Sequence, residues 1–169
     1  MPEKLHSMEF LKLMPATIFT KNIGAIDKFI KKHKKIVIKP THGYGGKNIL
    51  FLNNKLKKRK ILNYINKHDQ VMVQKFLPKI KEGDKRVFVI GGVIKGAIRR
   101  VPKRGSIISN IGQGGIPTKT TLTKQEIKIA KIVAKNLKKK QIVFAGIDLI
   151  SGYLTGDIKI GRASCRERV

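Results

Sequence analysis

The sequence contains little cysteine, no tryptophan and few acidic residues. Its 169 residues include a single cysteine, Cys165, which excludes an internal disulfide and a cysteine-ligated metal cluster. No apolar run approaches the roughly 20 residues of a membrane span, and the N-terminus lacks the apolar core of a signal peptide. We therefore expect a cytoplasmic protein that does not associate with a membrane.

The charge is strongly one-sided, with 10 acidic and 38 basic residues and a formal net charge of +28. Thirty of the basic residues are lysines. A bias towards lysine and isoleucine is typical of a low-GC genome, whereas a charge of this size also suits a nucleic-acid-binding module. Aromatic residues amount to only 6% and no nucleic-acid-binding motif is present, so we expect no specific nucleic-acid partner.

The last ten residues, 160–169, contain three of the eight arginines and the only cysteine. This decapeptide resembles the translation of a sequencing adapter, so we treat it as a non-native tail and exclude it from reasoning about the fold. A native basic tail is the alternative interpretation. If the tail is foreign, the codon of Lys159 is a hybrid, and the native residue there is a candidate asparagine.

Apolar patterning predicts short strands separated by glycine-rich turns. Residues 36–38 and 49–52 flank a glycine-rich loop and predict a hairpin. Further strands are predicted at residues 71–75, 86–90, 93–100, 141–150 and 153–158, and a polar helix at residues 57–67. The segment 103–121 is polar, rich in glycine and without periodicity, so we expect a long loop.

A second helix is predicted to run from a capping box at Thr123 and Glu126 to about Lys140. Apolar residues recur behind the capping box at helical spacing. They are Ile127, Ala130, Val133, Ala134 and Leu137. We expect this set to form the buried face of the helix.

Four groups of residues have types and spacings that suit phosphate or metal chemistry. The loop from Gly43 to Gly46 follows Lys39 and suits a phosphate, although an ordinary hairpin turn has the same pattern. Asp148 and Asp157 lie on two strands joined by a short turn and offer oxygen ligands for Mg²⁺, although capping or salt-bridged aspartates would look alike.

The other two groups contain arginine. Asp84 could accept hydrogen bonds from a ribose while Arg86 binds a phosphate or carboxylate, or both could belong to a charged turn. Arg100 and Asn110 could recognise a substrate carboxylate, although a solvated arginine is common.

Short motifs follow one another along the chain in a specific order and at a specific spacing. They are Glu3-Lys4-Leu5, Pro15-Ala-Thr17, Lys39-Pro40 with Gly43-Tyr-Gly-Gly46, Gln74-Lys-Phe-Leu77, Gly83-Asp-Lys-Arg86, Arg100-Val-Pro102, Ser109-Asn110 with Gly114-Gly115, and Gly146-Ile-Asp148. From Glu3 to about Ile158 the series resembles the bacterial glutathione synthetases of the ATP-grasp superfamily. The resemblance implies an α+β fold of antiparallel sheets with packed helices, incomplete at both ends, with an ATP-binding region over residues 1–159.

The resemblance also assigns roles to individual residues. The groups that would bind ATP are Lys4 and Lys39 at the phosphates, the flap of Gly43, Tyr44, Gly45 and Gly46, and Gln74, Phe76, Leu77 and Asp84 around the adenosine. Those that would act in catalysis are Arg86, Arg100 and Asn110, and those that would bind Mg²⁺, or Mn²⁺ in its place, are Asp148 and Asp157. An asparagine at position 159 would complete the family's metal-binding pattern.

The implied activity is the ATP-dependent ligation of γ-glutamylcysteine to glycine by a full-length homo-oligomer. Ile108 stands where the family usually has an arginine, so recognition of the dipeptide is less well supported than the ATP site. We expect a chain that lacks the remaining parts of such an enzyme to be inactive or nearly so. The alternatives are another ATP-grasp carboxylate–amine ligase and, from a different class, a basic nucleic-acid-binding module.

Overall fold

The chain forms an α+β fold with two antiparallel sheets, as the sequence predicts. The computed structural model describes residues 3–42, 48–54, 57–68 and 70–161. The chain divides into two compact units, residues 1–78 and 79–169, and each is described by itself.

The described part of the first unit contains a four-stranded sheet and three α-helices. It begins with α1 (Glu3–His6) and a 3-10 helix (Ser7–Leu13). The strands are β1 (Thr17–Thr20), β2 (Lys35–Pro40), β3 (Leu50–Asn53) and β4 (Val71–Lys75), in the order β1-β4-β2-β3. The two longer helices are α2 (Ile23–His33) and α3 (Lys58–His68).

The core of the first unit lies between these two helices and one face of the sheet. Alternate residues of each strand project from opposite faces, so only every second position meets the helices. The buried core residues are Ile26, Phe29, Ile30, Ile36, Ile38, Leu50, Leu52, Ile61, Ile65, Val71 and Val73. The intervening positions, among them Lys39 and Gln74, therefore occupy the face opposite the helices.

The second unit contains a five-stranded sheet with one long helix. Its strands are β5 (Asp84–Ile90), β6 (Val93–Val101), β7 (Ile116–Lys119), β8 (Phe144–Ile150) and β9 (Tyr153–Gly161), in the order β7-β6-β5-β8-β9. The helix is α4 (Lys124–Lys139), and two short 3-10 helices cover Pro78–Glu82 and Ile111–Gln113.

Helix α4 begins with the predicted capping box: the Thr123 side chain accepts a hydrogen bond from the Glu126 backbone, and Glu126 reciprocates. The predicted buried face is wrong at one position. Ile129 is buried, whereas Ile127 is 36% exposed. One turn before Ile129, the buried position is occupied by Glu126. Its carboxylate oxygen lies 2.7 Å from the Lys85 ammonium nitrogen.

Strand β8 starts at Phe144, three residues later than predicted, because the residues that begin at Gln141 form the C-terminal cap of α4. The Gln141 backbone adopts a left-handed φ of 57°, and the N–H groups of Gln141 and Ile142 donate to the carbonyls of Lys138 and Leu137. This is the pattern of a Schellman motif, in which a helix satisfies its last carbonyl groups. Glycine usually occupies the left-handed position, so its absence hides the helix end in the sequence.

The predicted long loop at residues 103–121 contains a short strand. Strand β7 pairs with β6 at the edge of the sheet, and all four of its residues are exposed. An exposed edge strand needs no alternation of apolar and polar residues, and it tolerates Pro117, which has no N–H to donate. Periodicity therefore could not reveal it.

Other predicted elements are confirmed, including the hairpins β2–β3, β5–β6 and β8–β9 and helix α3. The predictions did not include β1 or the bounds of α2. Asn22 marks the start of α2, because its side chain accepts a hydrogen bond from the Ala25 backbone at 3.1 Å. Asparagine is a preferred residue at this position and was the available signal.

Candidate active site

In the first unit, three polar side chains form a continuous chain of hydrogen bonds on the sheet face opposite the helices. The Lys39 ammonium donates to the Gln74 amide oxygen at 3.3 Å. The Gln74 amide nitrogen donates to the Thr17 hydroxyl oxygen at 2.9 Å, and that hydroxyl donates to the Pro15 carbonyl at 2.7 Å. Lys39 and Gln74 are both buried, so their positions are fixed by these partners.

The direction of this chain follows from its last link. The Thr17 proton is committed to the Pro15 carbonyl, so the hydroxyl oxygen is left to accept from Gln74. The amide nitrogen of Gln74 must therefore face Thr17, and the amide oxygen must face the Lys39 ammonium. Sequence reasoning included Thr17 in a motif but assigned it no role, because the contact depends on the pairing of β1 with β4.

The remaining predicted residues of the first unit occupy separate places. Lys4 is buried in α1. The Phe76 ring lies 4.8 Å from the Phe51 ring, and Leu77 is half-buried just beyond β4. The predicted loop Gly43, Tyr44, Gly45 and Gly46 lies outside the described residues.

In the second unit, the sheet register brings four predicted residues together. Strand β5 lies between β6 and β8, with Asp84 opposite Arg100 on one side and Arg86 opposite Asp148 on the other. Residues two apart on a strand share a face, so Asp84 and Arg86 lie on the same side of the sheet. Lys85, between them, binds Glu126 of α4, which places the four residues on the face away from α4.

The four side chains form a network of ion pairs. Arg86 holds both oxygens of Asp148 through its Nε and one terminal nitrogen, at 2.5 and 2.6 Å. Arg100 binds Asp84 in the same two-pronged way, with its Nε at 2.8 Å, and contacts Asp148 at 2.9 Å. Two positive and two negative charges balance, which allows Asp84, Arg100 and Asp148 to be at most 5% exposed.

Burial and the neighbouring charges act in opposite directions on the ionisation of this network. Burial raises the pKa of the Asp148 carboxyl, and the Arg86 and Arg100 guanidinium groups oppose that shift. For Arg100, burial lowers the pKa, but the hydrogen bond to Asp84 and the two carboxylates outweigh it and raise the pKa above its ordinary value. Arg100 is therefore positively charged throughout the physiological range.

The carboxylate oxygens of the network are suitable ligands for a magnesium ion. Asp148 provides a buried carboxylate, and oxygen is the ligand that Mg²⁺ prefers. A carboxylate has about four acceptor positions, so the three arginine contacts leave room for one further partner. The β8–β9 pairing is irregular between Ile147 and Leu149, so it gives Asp148 no direct partner on β9, and the Asp157 side chain lies outside the described residues. Among the side chains that are described, no group of three acidic, histidine or cysteine residues is placed to hold a metal.

Asn110 lies in the segment between β6 and β7. Its side-chain oxygen accepts a hydrogen bond from the Gly112 backbone at 2.9 Å and caps the short 3-10 helix. A side chain at position 115 would meet the Ser109 carbonyl oxygen at 1.9 Å, which requires the glycine found there. The predicted motif of Ser109-Asn110 with Gly114-Gly115 thus forms a compact turn.

Comparison with known proteins identifies the family. The family described as prokaryotic glutathione synthetase, ATP-grasp domain, matches residues 3–168. The chain belongs to this family. A glutathione synthetase of Synechocystis sp. is 36% identical over 156 residues, which cover 90% of this chain and 49% of that protein. One of Rhodopseudomonas palustris is 34% identical over 162 residues, with 91% and 50% covered. The chain therefore spans about half the length of the curated relatives it matches.

Solved structures show the same ATP-grasp fold. The D-cycloserine synthetase DcsG superimposes with a TM-score of 0.67 at 14% identity, over 94% of this chain and 60% of that one. A D-alanine–D-alanine ligase from Bacillus anthracis gives a TM-score of 0.61 at 13% identity, over 93% and 54%. A fold that is shared at such low identity confirms the expected architecture.

The helices of the described part of the chain were also compared with the requirements of a membrane span. None of them is both long enough and apolar enough to cross a bilayer.

Proposed function

We propose that this protein catalyses the ATP-dependent joining of γ-glutamylcysteine to glycine, giving glutathione, ADP and phosphate. The observation that carries the proposal is the family match over residues 3–168. The buried network of Asp84, Arg86, Arg100 and Asp148 supports it, because this part of the chain commits scarce acidic residues to a charged interior cluster.

In this reaction the dipeptide carboxylate attacks the γ-phosphorus of ATP, and ADP leaves. The resulting acyl phosphate is attacked by the glycine amine, which forms the amide bond, loses a proton and expels phosphate. Such transfers need positioning and charge neutralisation more than a covalent group from the protein. A site built from lysine and arginine meets that need, and no general-base histidine is required.

Roles for the residues follow from their chemistry and their motif positions. Lys4 and Lys39 bind the ATP phosphates, and the glycine-rich flap Gly43–Gly46 covers them. Gln74, Phe76, Leu77 and Asp84 surround the adenosine. In addition, the Gln74 oxygen orients Lys39, which is supported by the 3.3 Å contact. Arg86 and Arg100 neutralise phosphate or substrate charge, and Asn110 lies in the substrate-covering segment.

Asp148 and Asp157 are the residues that would hold Mg²⁺, or Mn²⁺ in its place. The metal would supply charge neutralisation at the phosphate oxygens. Arg86 holds the Asp148 carboxylate in one orientation, and this supports its assignment as a metal ligand. We further propose that the full-length enzyme acts in the cytoplasm as a homo-oligomer.

The function is tested on the full-length product of the gene that encodes these residues. ADP release is measured with γ-glutamylcysteine, with and without glycine. Release that requires both substrates is the expected result. Release with a different carboxylate and amine, but not with this pair, would retain the ATP site and overturn the substrate assignment, with Ile108 as the first position to examine.

The role of Asp148 is tested in the same assay with D148N. We expect kcat to fall by about 100-fold or more, because an amide cannot replace the charge that the metal and the arginines require. The matched control is D27N, which removes the negative charge of the Asp27–Lys31 pair on α2, where Asp27 is half-buried. A D148N enzyme as active as the D27N enzyme would contradict the assignment.

A further inference from the structure

Arg86, in its observed conformation, reaches Asp148 through the space beside Gly146. A Cβ atom built at position 146 would lie 2.8 Å from the Arg86 Cδ, 3.4 Å from its Nε and 3.7 Å from its Cζ. Carbon atoms in favourable contact are separated by about 3.5–4.0 Å. The Arg86 stem therefore passes directly over the Gly146 backbone.

The sheet register explains why the stem takes this path. Arg86 and Asp148 are directly opposite each other on β5 and β8. Side chains at such positions start about 5 Å apart, which is too close for an extended arginine to meet an aspartate. The arginine must bend away and return, and the neighbouring position on the same face of β8 is 146. An empty position there accommodates the bend.

A flexible side chain usually avoids such a clash by moving its far end, but Arg86 is held at that end. Its guanidinium group makes two hydrogen bonds to the buried Asp148 carboxylate. A methyl group at position 146 would thus push the Arg86 stem away, whereas the two hydrogen bonds to Asp148 hold the guanidinium group where it is. Relief requires the loss or distortion of that pair.

We propose that Gly146 is a positioning residue that orients Arg86 onto Asp148. It acts through Arg86 and touches no substrate. That Gly146 orients Arg86 is inferred from the geometry alone. That this orientation helps Asp148 to bind a metal rests on the proposed function. The motif Gly146-Ile-Asp148 then has two linked functions. Asp148 provides the carboxylate, and Gly146 leaves space for the Arg86 side chain that binds this carboxylate.

A second glycine provides a matched control. Gly96 and Gly146 are both opposite Phe88, on the strands that flank β5. A Cβ atom at position 96 would meet no other atom within 4 Å. G96A and G146A therefore make the same chemical change in the same row of the same sheet, and only G146A meets Arg86.

The test is a double-mutant cycle followed by thermal unfolding of the ligand-free chain. We expect G146A to lower the Tm by about 5 °C or more and G96A to change it by less than about 2 °C. In chains that carry R86A, G146A should cost less than about 2 °C, because the stem it strikes is gone. If G146A alone does not fold, the double variant should.

A second readout follows the Arg86 Nε–H signal by NMR, assigned by its loss in R86K. Hydrogen exchange of this proton with water should be slow in the unmodified chain and in G96A, and faster in G146A. This measurement does not depend on the folding of the R86A chain.

The proposal is overturned if G146A costs no more than G96A, if its cost is the same with and without Arg86, or if the Arg86 signal keeps its protection in G146A. None of these measurements uses ATP or a metal. Their failure would leave the proposed ligase activity standing, and failure of the ADP assay would leave the role of Gly146 standing.

Discussion

At the scale of single residues, the Thr17 hydroxyl helps to orient the Gln74 side chain. It accepts from the Gln74 amide nitrogen and so presents the Gln74 oxygen to Lys39. Without it, the Gln74 amide nitrogen would lose its acceptor, and only the contact with the Lys39 ammonium would orient the amide. Lys39, for which we propose phosphate binding, would then be held less firmly through Gln74.

We therefore predict different effects for T17V and T17S. T17V keeps the shape but removes both hydrogen bonds, so the free energy of unfolding should fall by about 1–2 kcal/mol. T17S keeps both bonds and should lose less than half as much. Urea unfolding measures both values, and the apparent KM for ATP of the full-length enzyme should rise in T17V alone. A larger loss in T17S than in T17V would show that the Thr17 methyl group matters more than its hydroxyl.

The residue types of the site could be predicted, but their partners could not. Asp84, Arg86, Arg100 and Asp148 were all identified from motif resemblance. Asp84 and Arg100 face each other across the β5–β6 hairpin, which the sequence does predict. Arg86 and Asp148, however, are 62 residues apart in sequence, and no local pattern encodes the register that brings them together. For the same reason, the sequence named Gly146 and Thr17 as motif members without revealing what either one contacts.

At the scale of secondary structure elements, helix α4 shows how a buried charge misleads a hydrophobic pattern. Its buried positions are Glu126, Ile129, Ala130, Val133, Ala134 and Leu137. This is an unbroken helical stripe, but its first member is a glutamate paired with Lys85. A search for apolar residues passes over Glu126 and selects its exposed neighbour Ile127. Hairpins are predicted more readily, because glycine turns and paired apolar runs are local signals.

The corrected face of α4 predicts unequal costs for two chemically identical truncations. I129A should lower the free energy of unfolding by about 2–4 kcal/mol, because it leaves a cavity against the sheet. I127A should lower it by less than about 1 kcal/mol, since that side chain is already partly in water. Chemical denaturation with both variants measures the difference. A larger loss for I127A would show that the helix is rotated relative to this structure.

At the scale of the whole molecule, part of the small set of acidic residues lies in the interior. Among the side chains that the structure describes, three acidic ones are buried and paired: Asp84 with Arg100, Glu126 with Lys85, and Asp148 with Arg86. Carboxylates that neutralise the interior cannot offset the exposed lysines. Each of these three carboxylates is matched by a basic side chain, so the rest of the molecule still has the full net charge of +28, and mutual repulsion should favour the expanded, unfolded chain.

This repulsion predicts that salt stabilises the protein. Between about 10 and 150 mM NaCl the screening length falls from roughly 30 to 8 Å, so repulsion among exposed lysines weakens while the buried pairs are little affected. The Tm should rise over this range. The effect should be smaller in K58E/K60E, which replaces two exposed lysines in the first turn of α3, a turn that has no acidic residue.

These two glutamates also lie at the helix end that favours negative charge, so each should stabilise the protein by about 0.3–1 kcal/mol at low salt. K124E and K128E, placed in the first turns of α4, serve as a comparison, because that helix already has Glu126 there. A Tm that falls with salt in the unmodified chain would mean that the exposed charges attract more than they repel. A slope unchanged in K58E/K60E would place the repulsion elsewhere on the surface.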